Sequence, residues 1–280
     1  MEPILFYKMT GSGNDFVVID NRSGSFCADA PKCRDFVVQV CRRKLSVGAD
    51  GVIFIENDPE CDFRWRFFNA DGSEAEMCGN GARCAARFAF LTGIVTERDL
   101  RFRTLAGIIR AHVDGRRVKV QMTDPFDFQG AIPLEAAGRS VTVDFINTGV
   151  PHAVCFLPQE PELEQLDVAG MGRAVRYHER FQPAGTNANF VAVLGRDRLR
   201  IRTYERGVED ETLACGTGSI AAALTAHERG LVDVPVRVVT QGGETLTIHF
   251  DRMGPGEYRN VFLEGEARVA YEGRLWQETL

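Results

Sequence analysis

Residues 76–88 read EMCGNGARCAARF, and residues 213–224 read LACGTGSIAAAL. Each phrase sets Cys-Gly-x-Gly at the head of an alanine-rich run, and its cysteines, Cys78 and Cys215, stand 137 positions apart (215 − 78). A single phrase of this kind says little. Two, separated by about half the chain, imply a duplicated architecture with a sulfur at the same place in each half.

Working outward, an offset of 136 or 137 pairs other blocks in the same order. GNDFVVID from Gly13 faces GVPHAVCF from Gly149, GADGVIFI from Gly48 faces GTNANFVAV from Gly185, and FRWRFFN from Phe63 faces LRIRTYE from Leu199. Each is a glycine leading an apolar run, or an alternating apolar and basic stretch. Alternation in FRWRFF, LRIRTY, RVKVQM and TLTIHF predicts strands, as does the β-branched run VPVRVVT. Helical spacing appears at 31–43 behind Pro31, at 78–91 and at 215–228, the last stopped by Gly230. Many strands and few helices predict an α+β fold of two pseudo-symmetric lobes, each a mostly antiparallel or mixed sheet wrapped around one alanine-rich central helix. The expected N-terminal lobe is 1–123 with Cys78, and the C-terminal lobe is 124–265 with Cys215. The boundary lies at TDPFDF, and the tail, about 266–280, is expected to return to the first lobe.

Composition narrows the function classes. A chain of 280 residues is long enough for two cores, and 44% hydrophobic with 26% charged residues is ordinary for a globular protein. A formal net charge of −6 argues against a general nucleic-acid surface. No apolar run reaches membrane-spanning length and the stretch MEPILFYKMTGSGNDF lacks a basic segment followed by a long apolar one, so a cytoplasmic protein without a membrane partner is expected. The eight cysteines should then be mostly reduced. Without C-x-x-C or a zinc-like His pair, no metal is expected. Cys27, Cys33, Cys41, Cys61, Cys84 and Cys155 read as small buried hydrophobes.

Cys78 and Cys215 read differently. The first amides of a helix lack intrahelical partners, the dipole's positive end collects there, and an adjacent glycine lets a carboxylate approach. A thiol at that point is expected to have its pKa lowered toward neutrality. Each phrase thus offers an anion seat beside a reactive sulfur. Were both sulfurs to flank one amino-acid α-carbon, one as thiolate could take the α-proton while the other as thiol returned one to the opposite face. Such an inversion needs no cofactor.

At this point the chain resembles the diaminopimelate epimerase family, on KMTGSGNDFVVID, GADGVIFI, FFNADGSEAEMCGNGARC, TGVPHAV, GTNANFV and YERGVEDETLACGTGS, which together span essentially its whole length. The resemblance implies a pyridoxal-independent enzyme that interconverts LL- and meso-diaminopimelate on the route to lysine and cell wall. It implies Cys78 and Cys215 as the catalytic pair, exchanging acid and base roles with direction. Gly79, Asn80, Gly216 and Thr217 would seat the reacting carboxylate, while Asn14, Asn69, Asn187, Glu205 and Arg206 would contact substrate, Arg206 at the distal carboxylate. His152 and Glu205 would orient the ammonium and tune the thiols. Tyr271 aligns with a dimer contact, so a homodimer is implied. Two positions depart from the family: Val150 stands where Asn is frequent, and Gly51 where Gln is common after G-A-D.

Taken singly, several of these residues have plainer roles. Asn14, Asn69 and Asn187 suit turns or loop bridges, His152 a satisfied core imidazole, and Glu205 with Arg206 a solvated pair. Two other functions fit the thiols. A proline, hydroxyproline or histidine racemase would keep the chemistry, yet proline-type relatives favour His where Asn80 stands, and their substrates lack a second carboxylate for Arg206. A binder or redox sensor would instead close a Cys78–Cys215 disulfide.

Overall fold

The computed structural model describes residues 3–24, 26, 30–276 and 278. The chain forms two compact units, Met1–Gln121 with Gly265–Leu280, and Met122–Glu264.

The first unit contains β1 (Ile4–Gly11), β2 (Asn14–Asp20), α1 (Ala30–Cys41), β3 (Gly51–Glu56), β4 (Phe63–Asn69), α2 (Gly79–Leu91), β5 (Asp99–Thr104), β6 (Gly107–Asp114) and β7 (Arg117–Gln121). The tail adds β17 (Arg268–Leu275). The strands pair in the order β17-β1-β2-β3-β4-β5-β6-β7; β2 with β3 and β4 with β5 are parallel, the rest antiparallel. Parallel neighbours require a crossover, and α1 and α2 supply the two. The run Phe16-Val17-Val18-Ile19 is buried without alternation because helices cover both faces of its strand. Val17, Ile19, Val52 and Phe54 meet Cys33, Val37 and Val40 of α1, while α2 packs inside against β1, β2, β3, β6 and β7. Each large side chain so enclosed contributes roughly 1.5–3 kcal/mol.

The second unit repeats this plan. It runs β8 (Phe126–Ala136), β9 (Arg139–Asn147), β10 (Pro151–Leu157), α3 (Glu160–Glu164), α4 (Val168–Arg176), β11 (Asn187–Gly195), β12 (Arg198–Glu205), β13 (Asp210–Thr212), α5 (Gly216–Glu228), β14 (Val236–Val239), β15 (Thr245–Gly254) and β16 (Glu257–Glu266). Its order is β8-β9-β10-β11-β12-β14-β15-β16, again with two parallel pairs, β10/β11 and β12/β14. Strand by strand, the pairing directions match those of the first unit, with β13 an added antiparallel strand on β12. α5 lies among β9, β10, β11, β12, β14 and β15. The α+β class, the mixed sheets and the enclosed alanine-rich helices are as the sequence predicts.

α3 and α4 lie outside the three helices expected from spacing. Two glycines in VAGMGRAVR obscure α4, which Asp167 caps through Gly170 N–H. The second glycine is a packing requirement: a Cβ on Gly172 would lie 2.3 Å from the Tyr204 Cβ, so only glycine lets α4 rest on β12. The cysteine expectation also needs one correction. Cys41, Cys61, Cys78, Cys84, Cys155 and Cys215 are in the thiol form rather than in disulfides, whereas Cys33 is disulfide-bonded; a compartment's usual redox poise does not decide the pairing of one local thiol. Cys27 lies outside the described residues. None of the described helices is long and apolar enough to cross a membrane.

Candidate active site

Cys78 is the N-cap of α2, in extended backbone conformation, and its sulfur accepts the Gly81 N–H at 3.5 Å. Cys215 occupies the same place on α5 and accepts the Gly218 N–H at 3.4 Å. The carbonyls of these residues accept the Ala82 and Ser219 amides. The helix geometry therefore leaves the amides of Gly79 and Asn80, and of Gly216 and Thr217, without a carbonyl partner in their helices. A Ser or Asp cap would take the N3 amide more strongly; cysteine takes it weakly and remains available as an acid or base.

The two heads are buttressed differently. At the first, Asn80 donates through Nδ2 to Asn14 Oδ1 at 2.8 Å, and Asn14 Nδ2 donates to Asp50 Oδ2 at 3.0 Å. Asn80 Oδ1 accepts from Arg83 Nη2 at 2.8 Å, and Arg83 also reaches Ser12 Oγ. Asp50 in turn pairs with Arg43 at 2.9 Å. Arg83 is fully buried, a cost tolerated only because oxygen acceptors meet its fork. Arg83, Ser12 and Asp50 were not among the residues singled out from sequence. An arginine inside an alanine-rich enclosed helix was the available signal.

At the second head, Thr148 Oγ1 donates to the Thr217 carbonyl at 3.1 Å and holds the first turn of α5. Cys215 is only 7% exposed. Burial pushes its thiol up to about 12, the Glu205 carboxylate adds to the rise, and the Thr217 hydroxyl with the Gly218 and Thr217 amides oppose it. The expected lowering therefore does not hold for Cys215: desolvation and a neighbouring acid outweigh the helix head. Burial likewise raises the Glu205 carboxyl.

His152 begins β10 beside Asn187 of β11 in parallel register and is 0% exposed. Burial, aided by Arg206, holds it far below the usual imidazole range, at about 3, so the ring is neutral. Asn189, a further residue not singled out, donates to His152 Nδ1 at 3.1 Å. Asn187 uses both ends of its amide on backbone: Nδ2 to the Pro151 carbonyl at 2.9 Å and Oδ1 to the Arg206 N–H at 2.8 Å. It thereby places Arg206, whose Nη1 donates to the Ala184 carbonyl at 3.0 Å. Glu205 and Arg206 form no pair with each other, since neighbours at a strand end diverge. Among the described residues Arg206 has no carboxylate partner.

Asn69 closes its own turn, donating Nδ2 to Ser73 Oγ at 3.0 Å. Cys84 is fully buried beneath β1. A Cβ at Gly51 would lie 2.4 Å from the Phe68 carbonyl oxygen and 2.6 Å from the Phe67 ring, so this backbone has no room for a side chain there. Val150 is half-buried and its carbonyl accepts the Thr148 N–H. Tyr271 is 49% exposed on β17, edge-on to Phe6. No cluster of metal-ligating side chains occurs among the described residues.

Comparison with known proteins supplies the remaining finding. The family model for diaminopimelate epimerase matches residues 6–126 and 145–268. A diaminopimelate epimerase from Aquifex aeolicus is 51% identical across 98% of this chain and 99% of its own length. One from Hydrogenobaculum sp. is 48% identical across 98% and 99%. Among solved structures, a phenazine biosynthesis protein of the PhzF family from Bacillus anthracis has a TM-score of 0.74 over 99% of this chain and all of that one, at 14% identity, a likeness of fold alone.

Proposed function

This chain belongs to the diaminopimelate epimerase family, and from that premise we propose that it inverts one α-carbon of diaminopimelate, converting LL to meso, with Cys78 and Cys215 as its acid and base. The observation that carries the reading is the repeated thiol cap, a sulfur 3.5 Å and 3.4 Å from the third amide of two topologically equivalent helices.

The α-carboxylate is seated by the amides of Gly79 and Asn80 and of Gly216 and Thr217 at the helix heads, where aligned N–H groups stabilise the charge that grows on it as the α-proton leaves. One sulfur takes that proton and the other supplies a new one to the opposite face. The two thiols titrate as a pair during turnover. Asn14 and Asn80, oriented by Arg83 and Asp50, line the first head. Arg206 offers its fork to the distal carboxylate. His152 and Glu205 tune the second head.

Purified protein incubated with the LL isomer in heavy water should yield meso product carrying deuterium at the inverted carbon. LL material left unconverted in reducing buffer would overturn the assignment. We also propose a homodimer with Tyr271 in the contact; a Tyr271→Lys variant should then sediment as a monomer, and an unchanged sedimentation coefficient removes that residue from the contact.

A further inference from the structure

The amide of Asn189 is wired so that only one orientation satisfies its neighbours. Its Nδ2 lies 3.0 Å from the Ala153 carbonyl oxygen, a group that can only accept, so the amino end must face it. The second N–H of that amino group points at His152 Nδ1, 3.1 Å away. The other end, Oδ1, accepts the Thr203 hydroxyl at 3.1 Å. A donor aimed at Nδ1 requires a bare nitrogen there. The ring is neutral, so its proton sits on Nε2. Nε2 is buried and has no hydrogen-bond partner among the described residues, and a buried donor left without an acceptor is rare enough in folded proteins to need a reason.

Asn189 also touches the thiol end of the unit. A Cβ on Gly218 would fall 2.4 Å from Asn189 Oδ1, and the Gly218 N–H is the one that meets the Cys215 sulfur. The same carboxamide thus abuts the head of α5 and sets the imidazole on β10.

We propose that Asn189 is a positioning residue that fixes His152 as the neutral tautomer protonated on Nε2, holding that N–H for an oxygen of the substrate bound at the head of α5. The inference rests on the function proposed above, but its first test needs no substrate, so the two can fail separately. Arg206, the charged group that acts on His152, reinforces the neutral state.

Long-range proton–nitrogen correlation spectra of the 15N-labelled full chain at neutral pH, with the His152 signals identified by their loss in His152→Gln, should show a bare Nδ1 and a protonated Nε2. A ring protonated on Nδ1, or on both nitrogens, overturns the proposal. In Asn189→Asp the carboxylate should draw a proton to Nδ1. Turnover should then fall roughly tenfold to hundredfold, the scale seen when an imidazole loses the partner that orients it, and the pH profile should gain an ionisation. Wild-type turnover with an unchanged profile in a folded Asn189→Asp protein also overturns it. Should that variant not fold, the tautomer of the wild-type ring decides alone.

Discussion

The two capping sulfurs differ less in their helix caps than in what surrounds them. Cys215 is buried beside an acid and holds its proton to about 12. Removing the acid's charge must ease ionisation, so Glu205→Gln should lower the thiol's midpoint. Thiolate absorbance, read against Cys215→Ala, should then appear at lower pH, and an unmoved midpoint would show that Glu205 does not govern the sulfur. The shift carries a stability consequence of defined sign. Because the folded thiol ionises above its ordinary 9.0, its contribution to stability is complete below pH 9 and is lost as pH rises toward 12, at up to about 1.4 kcal/mol per pH unit. At this scale the sequence located the two cysteines at helix heads and misread the direction of the shift at Cys215. Cys-Gly-x-Gly announces a sulfur at a helix head, but the acid that adds to the raised shift comes from β12, and the burial from the strands packed around α5, whose approach no local spacing encodes.

Among the elements, α2 and α5 are equivalent in topology yet differ in how tightly their third residue is packed, and this separates two like substitutions. A Cβ at Gly81 would meet Ile53 and Trp65 at 3.4 Å, ordinary contact, so Gly81→Ala should gain up to about 1 kcal/mol from helix propensity. A Cβ at Gly218 would strike Asn189 Oδ1 at 2.4 Å and approach the Cys215 sulfur to 3.2 Å, so Gly218→Ala should lose about 1–3 kcal/mol and most turnover. Chemical denaturation of both variants checks the pair, and equal effects would contradict the packing argument. The two central helices were legible because alanine in a helix enclosed by strands leaves a compositional mark. α4 was not, because Gly172 is required by Tyr204 on a strand 26 residues and more away in sequence. Asn189 and Arg83 escaped for a related reason: a polar residue in an apolar run reveals its role only when its partners' positions are known.

At the scale of the whole molecule, the duplication visible at an offset of 137 becomes a repeated strand order with matching parallel pairs in both units. That much could be read from spacing, since glycine followed by an apolar run marks the same strand twice. Small departures from symmetry then give each sulfur its own surroundings: Arg83 in α2 corresponds to Ile220 in α5, and Glu205 to Asn69. Duplicated helix heads with unlike neighbours are what an inversion needs, because the faces of one carbon call for equivalent tools in complementary protonation states. The sharpest measurement takes Cys78→Ala and Cys215→Ala separately and follows solvent deuterium entering the α-carbon of pure LL and pure meso isomers. Neither variant should interconvert the isomers, and each should exchange the α-hydrogen of one isomer only, Cys78→Ala acting on the hand that Cys215→Ala leaves untouched. Exchange of the same isomer by both variants, or inversion surviving in either, would contradict a mechanism in which each sulfur serves one face.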